Sequence, residues 1–139
     1  SIDKQFLETS LTELKHIFNE NNQSYKIIHF IINKYSIDGV NYNSFENEID
    51  GENMCVEVKF ISIPNILMKE ISHVLAKYQI KVDRFFDRNY INNFSELDSL
   101  DLSIVASNLK NGQNHNEIGL VPKNPKIKGF FEKFFQLFS

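Results

Sequence analysis

Asn53-Met-Cys-Val-Glu-Val-Lys-Phe60 alternates apolar and polar residues. Met54, Val56, Val58 and Phe60 share one side, while Glu57 and Lys59 take the other, the period of a strand with one buried face. Upstream, Lys26-Ile-Ile-His-Phe-Ile-Ile32 is a β-branched run that reads as a well-buried strand. It continues towards Tyr35 and Ile37 and breaks at the turn signal Asp38-Gly39. Between the two strands, residues 40–52 read as a long polar loop whose large apolar side chains are Tyr42, Phe45 and Ile49.

Helical periodicity flanks this pair. Ile2, Phe6, Leu7, Leu11, Leu14, Ile17 and Phe18 fall on one face of a helix over residues 2–19, stopped by the polar run Asn19–Ser24. Pro64 opens a second helix with Leu67, Ile71, Val74, Leu75 and Tyr78 as its buried stripe, and Ile80–Phe86 reads as a third strand. This order predicts an α+β fold: a small three-stranded sheet with helices packed on one face. Residues 1–94 form that interaction subdomain, and 95–111 an accessory helix ending at Asn111-Gly112. Residues 112–124 read as a linker with one short apolar patch, and 125–139 as a C-terminal amphipathic helix.

The 139 residues carry a net charge of −3 and 42% hydrophobic residues, an ordinary globular composition with no basic excess for nucleic acid. The single cysteine, Cys55, excludes an internal disulfide and fits a reducing cytoplasm. No apolar run approaches the length of a membrane span, and no signal peptide is visible. The chain starts at Ser1 rather than Met, so further sequence upstream is one expectation.

Catalytic candidates are scattered. His16, His29, His73 and His115 have neither each other nor Cys55 at metal-ligand spacing. His29 reads as a hydrogen-bonded core histidine, and Cys55 as no nucleophile. The five glycines write neither a P-loop nor a dinucleotide fingerprint. Asp83, Arg84 and Asp87 read as solvated charges at a strand exit, and Asp98 and Asp101 as helix-terminus residues. The expectation is no enzyme: no catalytic residues, no metal and no cofactor.

The last fourteen residues stand apart. On a helical wheel Ile127, Phe130, Phe131, Phe134, Phe135, Leu137 and Phe138 cover one arc of roughly 160°. Lys126, Lys128 and Lys133 oppose it with one Glu132. Asn124-Pro125 supplies an N-cap and a first helical residue. A helix of roughly 20 Å is short of the ~30 Å hydrocarbon core, so the segment suits an anionic membrane surface rather than a span. Docking on its own domain or in a partner's groove stays open, the alternative being a soluble α+β scaffold.

Ile27-Ile-His-Phe-Ile-Ile-Asn-Lys-Tyr-Ser-Ile-Asp-Gly39 resembles a stretch of the FtsA family, the actin-like membrane tethers of bacterial cell division. The alternating strand from Met54 to Ile63, the helix after it and Gln79-Ile-Lys-Val82 are similar to the strand, helix and strand that follow in that family. The set resembles the family's inserted small subdomain, and Gly129–Phe135 its terminal membrane-binding helix. The resemblance implies a divisome interaction module, peripheral on the cytoplasmic face of the inner membrane, contacting other division proteins or itself. The nucleotide-binding halves have no counterpart in these residues, so ATP binding is not implied, and neither is direct binding of FtsZ. Either a piece of a longer protein or a reduced relative would fit.

Overall fold

The computed structural model describes residues 2–45, 48–95 and 101–119. Their fold is α+β, built on the long strand β2 (Tyr25–Ile37). Its antiparallel partners are β3 (Val40–Tyr42) and β5 (Met54–Pro64), in the order β3-β2-β5. Helix α1 (Lys4–Asn21) precedes the sheet, and α2 (Asn65–Ala76), α3 (Arg88–Asn92) and α4 (Leu102–Lys110) follow it. The short strands β1 (Ile2–Asp3) and β4 (Glu48–Ile49) pair with each other.

Two register shifts in the β2–β5 pairing, between Ile27 and His29 and between Ile32 and Lys34, decide which side chain faces where. Each shift reverses the alternation. Ile27, Phe30, Ile32 and Tyr35 therefore join one core although their numbers do not keep a period of two. They meet Leu7, Leu11 and Leu14 of α1 and Met54, Val56, Val58 and Phe60 of β5. The Phe60 ring stacks between Phe18 and Phe30, at centroid distances of 4.6 and 4.4 Å. On the opposite face Ile31 packs with Tyr90, Ile91, Val105 and Leu109. Helices thus cover both faces of the sheet, not one. A run such as Ile27–Ile32, apolar in both parities around His29, presents apolar side chains to either side, so both sides need cover.

The third strand is Val40–Tyr42, inside the expected polar loop, and not Ile80–Phe86. Asp38 and Gly39 both take positive φ, 49° and 82°, the two-residue hairpin turn that folds β3 back on β2. Residues 80–87 belong to no strand or helix, so the Gln79–Val82 strand of the FtsA resemblance is not formed. The segment carries apolar residues in both parities, Val82 and Phe86 against Phe85. Phe86 lies against the His29 ring at 5.5 Å, which places the segment across a sheet face rather than at an edge. The β2 edge is taken instead by Asn116–Ile118. Ile32 N–H donates to the Asn116 carbonyl at 2.9 Å, and Ile118 N–H to that of Phe30 at 2.8 Å. Residues 112–119 are accordingly part of the folded body, with Glu117 and Ile118 buried, and not a linker.

Two helix readings change in detail. α1 buries Leu7 and Leu11 but leaves Phe6 and Ile17 exposed, and Ile2 sits in β1. In α2 no residue is fully buried, and Leu67, Val74 and Tyr78 of the expected stripe are exposed. Asp101 N-caps α4, its Oδ1 accepting from Ser103 N–H at 2.9 Å, and Gly112 closes it at φ 89°. Asp98 lies outside the described residues, as does the whole segment 120–139.

The loop before β5 is tied at one tight point. Asp38 Oδ1 accepts from Asn53 N–H at 2.9 Å, and its Oδ2 from Glu52 N–H at 3.1 Å. These bonds hold the Asp38 carboxyl below its ordinary range. A Cβ on Gly51 would stand 2.2 Å from Ile37 Cγ2 and 2.9 Å from Asp38 Oδ2. Ile37 is buried and β-branched, so that methyl has no other well to turn into. Gly51→Ala is expected to lower stability by about 1–3 kcal/mol, read as a lower urea midpoint at unchanged slope. A midpoint equal to the parent's would show that the close approach is not a constraint.

Candidate functional site

β2 projects His29 into the face covered by α3, where it is 1% exposed. Its Nε2 accepts the backbone N–H of Asp87 at 3.0 Å. The proton therefore resides on Nδ1, which donates to Glu117 Oε1 at 2.7 Å. Arg84 donates to the same oxygen at 2.9 Å, and the Tyr90 hydroxyl donates to Glu117 Oε2. Asn114 Nδ2 in turn donates to the Tyr90 hydroxyl at 3.1 Å. The Glu117 carboxylate, itself 1% exposed, is thus met by three donors from three different parts of the chain. That is what keeps a buried charge affordable.

Local structure aims each of these groups. The register shift after Ile27 puts His29 on the α3 side. The Asp87 carboxylate caps α3 by accepting from Tyr90 N–H at 2.9 Å, which orients Tyr90 inward. The Tyr90 ring then lies 4.3 Å from that of His29. Arg84 stacks over Phe86 at 4.8 Å and remains partly exposed. On the other face Tyr35 donates to Asn116 Oδ1 at 3.3 Å, and Asn116 N–H donates to Asn114 Oδ1 at 3.0 Å. Burial raises the phenols of Tyr35 and Tyr90 well above their ordinary range, and for Tyr90 the Glu117 charge adds to it.

His29 is the hydrogen-bonded core histidine expected of it. Arg84 and Asp87 depart from the reading as solvated charges, since Arg84 neutralises a buried carboxylate and the Asp87 carboxylate caps α3 while its backbone N–H donates to His29. Glu117 was not singled out at all. Its signal was the short apolar patch around Ile118, which anchors the segment against β2. Both nitrogens of His29 are consumed within the protein, so the ring has no free lone pair to act as a base. Among the described residues, no group of three His, Cys, Asp or Glu side chains is placed to hold a metal ion. No described helix is long and apolar enough to cross a membrane.

Beside this cluster opens a cavity of about 580 Å³. Phe30, Met68, Val82, Phe85 and Ile118 give it an apolar lining, and Lys15, Lys26, Lys69 and Arg84 a basic one. Asp83 also lines it, but its carboxylate is bonded to Lys110, whose charge holds it below its ordinary range. Partial burial and the neighbouring Lys26 lower the Lys15 ammonium. The membrane-binding candidates Lys126, Ile127, Lys128, Phe130, Phe131, Lys133, Phe134, Phe135, Leu137 and Phe138 lie outside the described residues. Comparison with protein-family models, with curated proteins and with solved structures finds no match.

Two predictions follow the geometry of the cluster. Glu117→Ala leaves Arg84 without its counter-charge and the His29 and Tyr90 donors without an acceptor. It is expected to cost about 3–5 kcal/mol in chemical unfolding, and a cost below about 1 kcal/mol would deny the cluster its structural role. The two raised phenols make the second. They stay protonated in the fold but ionise near pH 10 once unfolded, so their contribution is complete below about pH 10 and is lost as pH rises beyond it. Phenolate absorbance from Tyr35→Phe and Tyr90→Phe variants should show that each phenol ionises only with alkaline unfolding. Ionisation of either before the fold is lost would contradict the burial.

Proposed function

We propose that this protein is a non-enzymatic interaction module of bacterial cell division, held to the cytoplasmic face of the inner membrane by its C-terminal segment. The observation that carries this reading is the sequence of residues 126–139, whose seven apolar side chains share one helical arc opposite three lysines. Such a pattern gains from partial insertion of rings at the headgroup boundary and from anionic lipid beneath the lysines. The FtsA-like stretch Ile27–Gly39 adds the cell-division context, and in the fold it forms β2 and its hairpin turn.

The small domain offers a surface for a neighbouring protein. Ile66, Leu67, Val74 and Tyr78 are exposed on and just after α2, the last at 73%. That apolar face also favours the second reading, a soluble scaffold whose C-terminal helix docks on a protein surface. Co-sedimentation with phosphatidylglycerol-containing vesicles separates the two. The full chain is expected to sediment with them, and a Phe134→Asp, Phe135→Asp variant to bind at least about thirtyfold more weakly, since each ring is worth up to about 1.5–3 kcal/mol. A chain that stays in the supernatant, or a variant that binds as well as the parent, would overturn the membrane reading. Protection of the tail from limited proteolysis without lipid would support the scaffold instead.

A further inference from the structure

We propose that the cavity lined by Lys15, Lys26 and Lys69 is a second membrane contact, taking the headgroup of an anionic phospholipid. The inference rests on the membrane-tether reading and adds to it a site on the folded body.

Position is the first argument. Gly119, the last described residue, lines this cavity. Six residues, 120–125, join it to Lys126, where the amphipathic segment begins. From Gly119 to Lys126 the fully extended chain reaches no further than roughly 25 Å. A segment lying on a bilayer therefore holds the cavity's side of the body close to the same surface. Charge is the second argument. The chain totals −3, so an anionic bilayer repels the body as a whole. Lys15, Lys26, Lys69 and Arg84 line the cavity beside the carboxylate of Asp83. Arg84 is committed to Glu117 and Asp83 to Lys110, while the exposed Lys26 and Lys69 set the potential at the opening. Orientation then has a sign: the side that carries Lys26 and Lys69 faces lipid.

The chemistry of the lining is the third argument. Lys26 and Lys69 stand exposed at the opening, where a phosphodiester would meet two ammonium groups. Phe30, Met68 and Val82 beside them suit the glycerol and first methylenes of a lipid. A fully hydrophilic anion would leave those side chains unused. The amphipathic segment of this same chain is the poorer occupant, since it carries lysines of its own to a basic opening.

The test uses the full chain and vesicles of phosphatidylglycerol and phosphatidylcholine. Lys26→Glu, Lys69→Glu is expected to bind at least about tenfold more weakly than the parent and to show a shallower dependence on salt. The control, Lys34→Glu, Lys59→Glu, changes net charge equally at exposed positions of β2 and β5 outside the cavity lining. It is expected to lose no more than about twofold, because charges beyond a Debye length from the surface contribute little. Equal losses from the two variants would overturn the site. Phe134→Asp, Phe135→Asp reports separately on the tether, so loss of binding there with no effect at Lys26 and Lys69 would sink this inference alone. As a second readout, soluble short-chain phosphatidylglycerol should shift the amide resonances of Met68, Ser72 and Gly119 in the parent but not in Lys26→Glu, Lys69→Glu. If those amides move on Phe134→Asp, Phe135→Asp without lipid, the chain's own tail fills the cavity and the proposal is wrong.

Discussion

One carboxylate organises this fold. Glu117 is sealed from water and answers to His29 on β2, Arg84 on the segment after α2, and Tyr90 on α3. His29 lies far from the other two in sequence, Arg84 and Tyr90 are six positions apart, and Glu117 is distant from all three. A buried charge left short of partners costs several kcal/mol, a large share of the stability of a domain this size. The chain is thereby compelled to bring all three donors home together. Hydrophobic contact between Ile31, Ile91, Val105 and Leu109 is tolerant of small displacements, whereas donors at 2.7 to 2.9 Å are not. The apolar core brings the second layer together, and the carboxylate specifies where it stops.

The register shifts in β2 are the other half of that specification. Without the shift after Ile27, the alternation that places Ile27 towards α1 would send His29 there as well, into a wall of Leu7 and Leu11. With it, His29 turns to the α3 side and Phe30 takes the inner position. The second shift brings Tyr35 back to the α1 core, where its hydroxyl reaches Asn116. Asn116 and Glu117 are adjacent, so one short segment is pinned from both faces of the sheet through β2. Pinning from two sides explains why a polar stretch with a single apolar patch lies buried along the strand edge.

How much of this could be read from residues alone follows from the range of each interaction. The two long strands, the Asp38-Gly39 turn and the Asp101 and Gly112 ends of α4 are set within a few residues of themselves, and all were legible. β3 was not, because Val40-Asn41-Tyr42 is too short to show a period and is a strand only by virtue of the turn before it. Ile80–Phe86 misled for the converse reason: it has strand-like content, but the edge it would occupy belongs to Asn116–Ile118. His29 was readable as a core histidine because its neighbours are all apolar. Its partner was not, since Glu117 lies 88 positions away in an asparagine-rich segment marked only by the apolar patch beside it.

A sealed polar centre also redirects where function is sought. His29, Glu117 and Tyr90 resemble catalytic machinery in composition, yet each hydrogen-bonding atom of the trio is spoken for by another part of the chain. Arg84 is the member that reaches outward, and it lines the cavity while its charge is held by Glu117. The centre therefore acts on the surface indirectly, by fixing the segment from Val82 to Phe85 that forms one wall of the cavity. Rigid placement matters more for a charged surface than for an apolar one. Hydrophobic patches adapt to a partner, whereas the attraction of a lysine for a phosphate is screened over roughly 8–10 Å at physiological ionic strength. Fixing that wall keeps the lysines and the apolar lining of the cavity in one arrangement, so the opening presents a defined pattern of charge.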